Sequence, residues 1–191
     1  MPKQQVDKTL NPGAIESWSS ERSAELYGIN TWGAGYFDLS ERGEAQVNVD
    51  FGDHQVVVSI MDIVLGMRAR GLHMPAVLRI RNLLDHRIKV LNESFALAIE
   101  QGGYQNSYRG VFPIKVNQQR QVVEEVLDFG RPYSFGLEAG SKPELLAVIA
   151  MASNETPIIC NGFKDAEFIE MAMMAQKMGR RIIPVVEKYT E

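Results

Sequence analysis

The chain predicts an α/β fold: the opening part of a (β/α)8 TIM barrel, preceded by a short β-rich segment and a helix. Three observations carry this. From residue 109 onward, apolar runs return every ~24 residues with a helical pattern after each, the mark of stacked βαβ units. Neither G-x-G-x-x-G nor a P-loop occurs, so the usual ligand signal of a doubly wound sheet is missing. Only four such strands fit in the 191 residues, against the eight strands and ~250 residues of a complete barrel. A half barrel leaves two open parallel edges, an unstable way to finish a fold. The barrel is therefore expected to be incomplete and the chain to be the N-terminal part of a longer protein.

The elements follow in order. Residues 1–13 are polar and end in the turn signal Asn11-Pro12-Gly13, so a flexible tail is expected. Residues 14–70 mix short apolar stretches with glycine-rich turns. Val47 and Val49 alternate with polar neighbours, as does part of QVVVSI (55–60), so short strands are expected there. Residues 71–106 form a helical pre-barrel segment. Within it Val77, Ile80, Leu84, Ile88, Leu91, Phe95 and Ala98 recur at steps of three and four. Pro75 marks the expected helix start and Gly102-Gly103 the stop.

Residues 107–191 hold the half barrel. VFPIKV (111–116) reads as a buried strand and QRQVVEEVLDF (119–129) as a helix with Val122, Val126 and Phe129 on one stripe. YSFGLEA (133–139) is the second strand. Ser141-Lys142-Pro143-Glu144 has the form of a capping box opening ELLAVIAMA. PIICN (157–161) is the third strand. Asp165 can cap the helix AEFIEMAMMAQKM, which Gly179 ends, and RIIPVVE (181–187) is the fourth strand.

Charge and composition exclude several classes. The formal charge is −4 with no concentrated basic stretch, so no nucleic-acid partner is expected. No apolar run reaches the ~18 residues of a membrane helix, and no signal-peptide pattern opens the chain. A cytoplasmic location fits. Cys160 is the single cysteine, which excludes an internal disulfide. It reads as a buried strand residue. His54, His73 and His86 have no metal-ligand spacing. Met171, Met173, Met174 and Met178 read as helix packing.

Lys115 interrupts an apolar run near its C-terminal end. A strand-end lysine can snorkel, its stem on apolar surface and its head in water. It can equally serve as a catalytic amine, because parallel barrels place their active sites at the C-terminal ends of strands. A partly desolvated lysine is a good Schiff-base nucleophile. Position alone leaves both readings open.

PIKVNQ (113–118), GLEAGSKPEL (136–145) and CNGFKD (160–165) closely resemble the bacterial biosynthetic arginine decarboxylase family. LYGINTWGAGYFDLS (26–40) and LRIRNLLDHRIKVLNESF (78–95) are similar to its N-terminal segment and pre-barrel helix. That family consists of pyridoxal 5'-phosphate (PLP) enzymes of the alanine-racemase-like barrel class. The resemblance implies conversion of L-arginine to agmatine and CO2, feeding putrescine and spermidine synthesis. It implies PLP, Mg2+ with unassigned ligands, and a homo-oligomer with shared active sites. It implies that Lys115 carries PLP as a Schiff base and that Glu138 pairs with or orients the lysine ammonium. Asn161 ends the third strand, placed either to face the cofactor pocket or to organise a turn with Gly162. Gly140 and Ser141 would share the second strand-end loop, with Ser141 first explained as a helix cap. Lys164 is expected to face solvent. The family's phosphate-binding glycine loop, ring-stacking histidine and ring-nitrogen carboxylate have no counterpart in this stretch, so the chain alone is expected to be inactive. The alternatives are a barrel decarboxylase for diaminopimelate or ornithine, a non-catalytic PLP carrier, or an inactive remnant.

Overall fold

The computed structural model describes residues 17–50 and 54–190. The tail expected over residues 1–13 lies outside the described residues. Two compact units divide at Val77 and Leu78.

In the first unit, α1 (Ser20–Leu26) starts where the Ser19 hydroxyl accepts the Arg22 N–H. Gly28, in the left-handed region at φ 64°, leads into the single turn α2 (Ile29–Trp32). Three strands follow: β1 (Phe37–Leu39), β2 (Ala45–Asp50) and β3 (Gln55–Ser59), antiparallel in that order. Val47 faces Val58 and Val49 faces Val56 across β2 and β3. The buried side of this sheet holds Val47 and Val49, as the alternation predicts. Ser59 then caps α3 (Ile60–Ala69) through the Asp62 N–H. The segment expected to be β-rich is thus mixed. Two serine caps start helices there, and α3 carries Ile60, Ile63, Val64 and Met67 at helical spacing.

The second unit opens with α4 (Arg81–Gly102). Its start differs from expectation by six residues. Residues 75–80 are not helical, and Ile80 precedes α4 in an extended conformation with no side-chain cap. Gly103, at φ 61°, ends the helix in the left-handed conformation that glycine adopts without a Cβ penalty. Ile88 is buried and Leu84 packs on the core, whereas Leu91 and Phe95 stay exposed.

Four parallel strands form the sheet: β4 (Val111–Pro113), β5 (Gly136–Ala139), β6 (Pro157–Cys160) and β7 (Arg181–Pro184). Between them run α5 (Arg120–Gly130), α6 (Lys142–Met151) and α7 (Ala166–Lys177). Each strand lies beside its predecessor, in the order β4-β5-β6-β7. A doubly wound sheet would reverse order at a switch point; this sequential order is that of a barrel wall. The core joins Leu137, Ala139, Ile158 and Cys160 of the strands to Leu145, Val148, Phe168 and Ala172 of the helices. β4 corrects the expectation of a fully buried strand over 111–116. It has three half-buried residues, and a one-turn 3-10 helix (Ile114–Val116) takes over. The methionine expectation is corrected in part. Met171 packs on the core, but Met173, Met174 and Met178 are exposed, because they lie on the outer side of α7 and at its end. Among the described residues, no helix is long and apolar enough to cross a membrane.

Candidate active site

The C-terminal ends of β4, β5 and β6 bring three of the singled-out residues to one edge of the sheet. Strand register sets their heights. Pro113 pairs with Glu138, Glu138 with Ile159, and Ala139 with Cys160. The Asn161 N–H continues the ladder by donating to the Ala139 carbonyl at 3.1 Å. Lys115 follows β4 in the 3-10 turn, which buried Ile114 anchors to the core.

Lys115 therefore sits outside the strand, with its side chain 63% exposed, while that of Glu138 is 15% exposed. Lys115 Nζ lies 3.5 Å from Glu138 Oε1. The contact is an ion pair without an aligned hydrogen bond, since Oε1 is buried and accepts none among the described residues. Asn161 Oδ1 is in the same condition. Buried polar atoms are nearly always satisfied in native proteins, so two orphaned oxygens on neighbouring strand ends call for a ligand or a solvent molecule. A primary amine beside buried acceptors fits an aldehyde-bearing cofactor with polar ring substituents.

The loops behind these residues are held tightly. Ser141 caps α6 as expected, accepting the Glu144 N–H at 3.4 Å. The reciprocal bond of a capping box is shifted by one residue, because Glu144 Oε2 accepts the Gly140 N–H at 2.7 Å. Asp165 caps α7 through the Phe168 N–H at 2.9 Å, also as expected. Gly140 and Gly162 meet backbone to backbone. A Cβ on Gly162 would lie 2.9 Å from Gly140 Cα, and one on Gly140 would lie 2.9 Å from the Asn161 carbonyl oxygen. Lys164 departs from the expected solvent-facing position. It is half-buried and donates to the Gly162 carbonyl at 2.6 Å.

Cys160 is fully buried, as expected. Burial pushes its thiol up to about 11, with the Lys164 ammonium pulling weakly the other way. His54, His73 and His86 are exposed. No group of three or more His, Cys, Asp or Glu side chains able to hold a metal ion occurs among the described residues. A cavity of about 220 Å3 lies between α5 and α6, lined by Ile114, Gln118, Ser141, Glu144 and Val148 among others. It includes none of Lys115, Glu138 and Asn161, so it flanks the strand-end cluster.

Sequence reasoning missed Lys142. It donates to Asp165 Oδ2 at 2.7 Å and to Glu167 Oε2 at 2.6 Å. A signal was present: a cation in the first turn of a helix opposes the macrodipole and needs a local reason.

Sequential parallel strands with a lysine–glutamate pair at their C-terminal ends place the chain among barrel-type α/β proteins. Residues 89–191 match the family model described as pyridoxal-dependent decarboxylase, pyridoxal binding domain. The chain belongs to this pyridoxal-dependent decarboxylase family. It is 46% identical to a biosynthetic arginine decarboxylase of Gloeobacter violaceus over 93% of its length, and 45% identical to one of Rhodopirellula baltica over 91%. It spans only 28% and 26% of the lengths of these two curated relatives. The crystal structure of the biosynthetic arginine decarboxylase from Campylobacter jejuni superposes with a TM-score of 0.78 at 35% identity, over 86% of this chain and 27% of that one.

Proposed function

We propose that the protein carrying this chain is a biosynthetic arginine decarboxylase that converts L-arginine to agmatine and CO2 for putrescine and spermidine synthesis. The carrying observation is the Lys115–Glu138 pair at the strand ends of a chain so similar to proteins of that name. PLP supplies the electron sink for loss of CO2.

Lys115 is the residue that holds PLP, through Nζ. The flexible stem and exposed position let this amine reach a ligand at the sheet edge. Glu138 orients the ammonium from the neighbouring strand, and its buried Oε1 has no competing donor to draw it away. Asn161 offers a second buried acceptor toward the cofactor. Burial of these two oxygens strengthens every polar contact they make, because the local dielectric is low.

L-arginine is the substrate, and the active protein is a cytoplasmic homo-oligomer with shared sites that binds neither nucleic acid nor membrane. Magnesium is part of this reading by family resemblance alone, with its ligands unassigned. The test is CO2 release by the full-length protein with L-arginine, L-ornithine and diaminopimelate as competing substrates. Preference for L-arginine supports the reading. Preference for either rival replaces the substrate, and no release from any of them overturns the decarboxylase.

A further inference from the structure

The loops after β5 and β6 are joined three times over. Gly140 and Gly162 pack backbone on backbone, with no room for a Cβ on either. The Asn161 N–H bonds to the Ala139 carbonyl. Lys142 Nζ reaches across to Asp165 Oδ2 and Glu167 Oε2. The spacing is parallel: Lys142 stands four residues after Glu138, and Asp165 stands four residues after Asn161. Asp165 is itself immobilised, because its other oxygen caps α7. Lys142 is thus tied to a fixed point, and the link spans the loop that follows Glu138 in β5 and the loop that contains Asn161.

A lysine in the first turn of α6 repels the positive end of the helix dipole. Two carboxylates of the next helix offset that repulsion, and they can do so only while the two loops keep their present separation. We infer that Lys142 is a positioning residue, which sets Asn161 against Glu138 by clamping the start of α6 to the start of α7. This rests on the reading of Lys115, Glu138 and Asn161 as the cofactor site. It adds that the spacing of two of them is fixed by a residue outside it.

The test uses the full-length protein and two readouts. The first is hydrogen exchange of peptides spanning residues 158–164, without added PLP. The second is the PLP concentration that half-saturates borohydride-trapped labelling of Lys115. Lys142→Met is expected to speed exchange and to weaken loading about tenfold, the scale of one lost charge-assisted hydrogen bond. Lys142→Arg is expected to restore most of both. Arg180→Met is the control. Arg180 donates to the Ala152 carbonyl at 2.5 Å and to Asn154 Oδ1 at 3.1 Å, a comparable clamp at the opposite end of the sheet. It is expected to lower the melting temperature and leave both readouts in place. Should Lys142→Met fail to fold, Glu167→Gln carries the test with the same expected directions. Unchanged readouts in the Lys142 variant, or equal changes in the Arg180 control, overturn the positioning role. If wild-type Lys115 takes no label, the cofactor-site reading falls, while the exchange data still decide what Lys142 does.

Discussion

Lys115 Nζ and Glu138 Oε1 lie 3.5 Å apart, with the lysine two residues past the last β4–β5 pair and the glutamate within β5. One partner is largely solvated and the other largely buried. The pair is therefore asymmetric: Lys115 can leave it and be rehydrated, and Glu138 cannot.

Lys115→Arg tests the lysine. Arginine keeps a positive charge near Glu138, but its guanidinium stays protonated and makes no Schiff base. The melting temperature is expected to stay within about 4 °C of wild type, since arginine keeps a cation beside Glu138 and the lysine side of the pair is solvated. Borohydride trapping of PLP at position 115 should vanish. Undiminished trapping elsewhere in the chain would show that another lysine is the anchor.

Glu138→Gln separates site from scaffold. A buried oxygen without a hydrogen-bond donor carries a desolvation cost of about 1–3 kcal/mol, and a neutral amide relieves part of it. Thermal stability should hold or rise, while PLP loading and CO2 release fall at least about tenfold. A large loss of stability instead would mean that the carboxylate is structural.

The Lys142–Asp165 link gives a pH signature. The Lys142 hydrogen bond, then that of the Phe168 N–H, holds Asp165 below its usual 3.8. Asp165, then Glu167, holds Lys142 above its usual 10.5. A lowered acid stabilises the fold above its unfolded pKa and loses that contribution as pH falls through the folded value. A raised base stabilises below its unfolded pKa and loses it as pH rises through the folded value. Protection of the Phe168 amide should therefore be flat from about pH 5 to 9 and fall at both ends. Asp165→Asn should remove its share of the acid limb.

Cys160 should be inert. With its thiol raised to about 11 by burial, little thiolate exists at pH 8. Iodoacetamide should label it only after denaturation, and fast labelling of the native protein would contradict the burial seen here.

Gly162→Ala should be costly. Gly162 has φ 148° and no room for a Cβ against Gly140. A loss of about 1–3 kcal/mol is expected from urea unfolding. A neutral result would mean that the two loops part easily, which would also weaken the case for Lys142.

Much of this was legible in the sequence where the controlling physics is local. Ser141 and Asp165 were readable as caps because a short oxygen-bearing side chain before an apolar period satisfies the first helical N–H groups wherever the helix lies. The strand–helix alternation was readable from apolar periodicity, whereas Glu138 stood out only through resemblance to a known family. The rest depends on neighbours distant in sequence. Nothing around Lys115 shows that β4 stops at Pro113, since the apolar run continues through Val116. Pro75 looked like a helix start, yet the first helical residue is Arg81. The exposure of Met173 and Met174 depends on what lies against α7, which a helical period does not reveal. The Lys142 bridge spans 23 residues to Asp165 and joins two elements that only the sheet order places side by side.

β4 and β7 each have one hydrogen-bonded neighbour among the described residues. Their outer rims present backbone donors and acceptors to any extended peptide that approaches. The modest net charge of −4 gives little long-range repulsion at physiological ionic strength. Edge-to-edge pairing is therefore the expected route of self-association for this polypeptide in isolation, and light scattering that stays flat with concentration would contradict it.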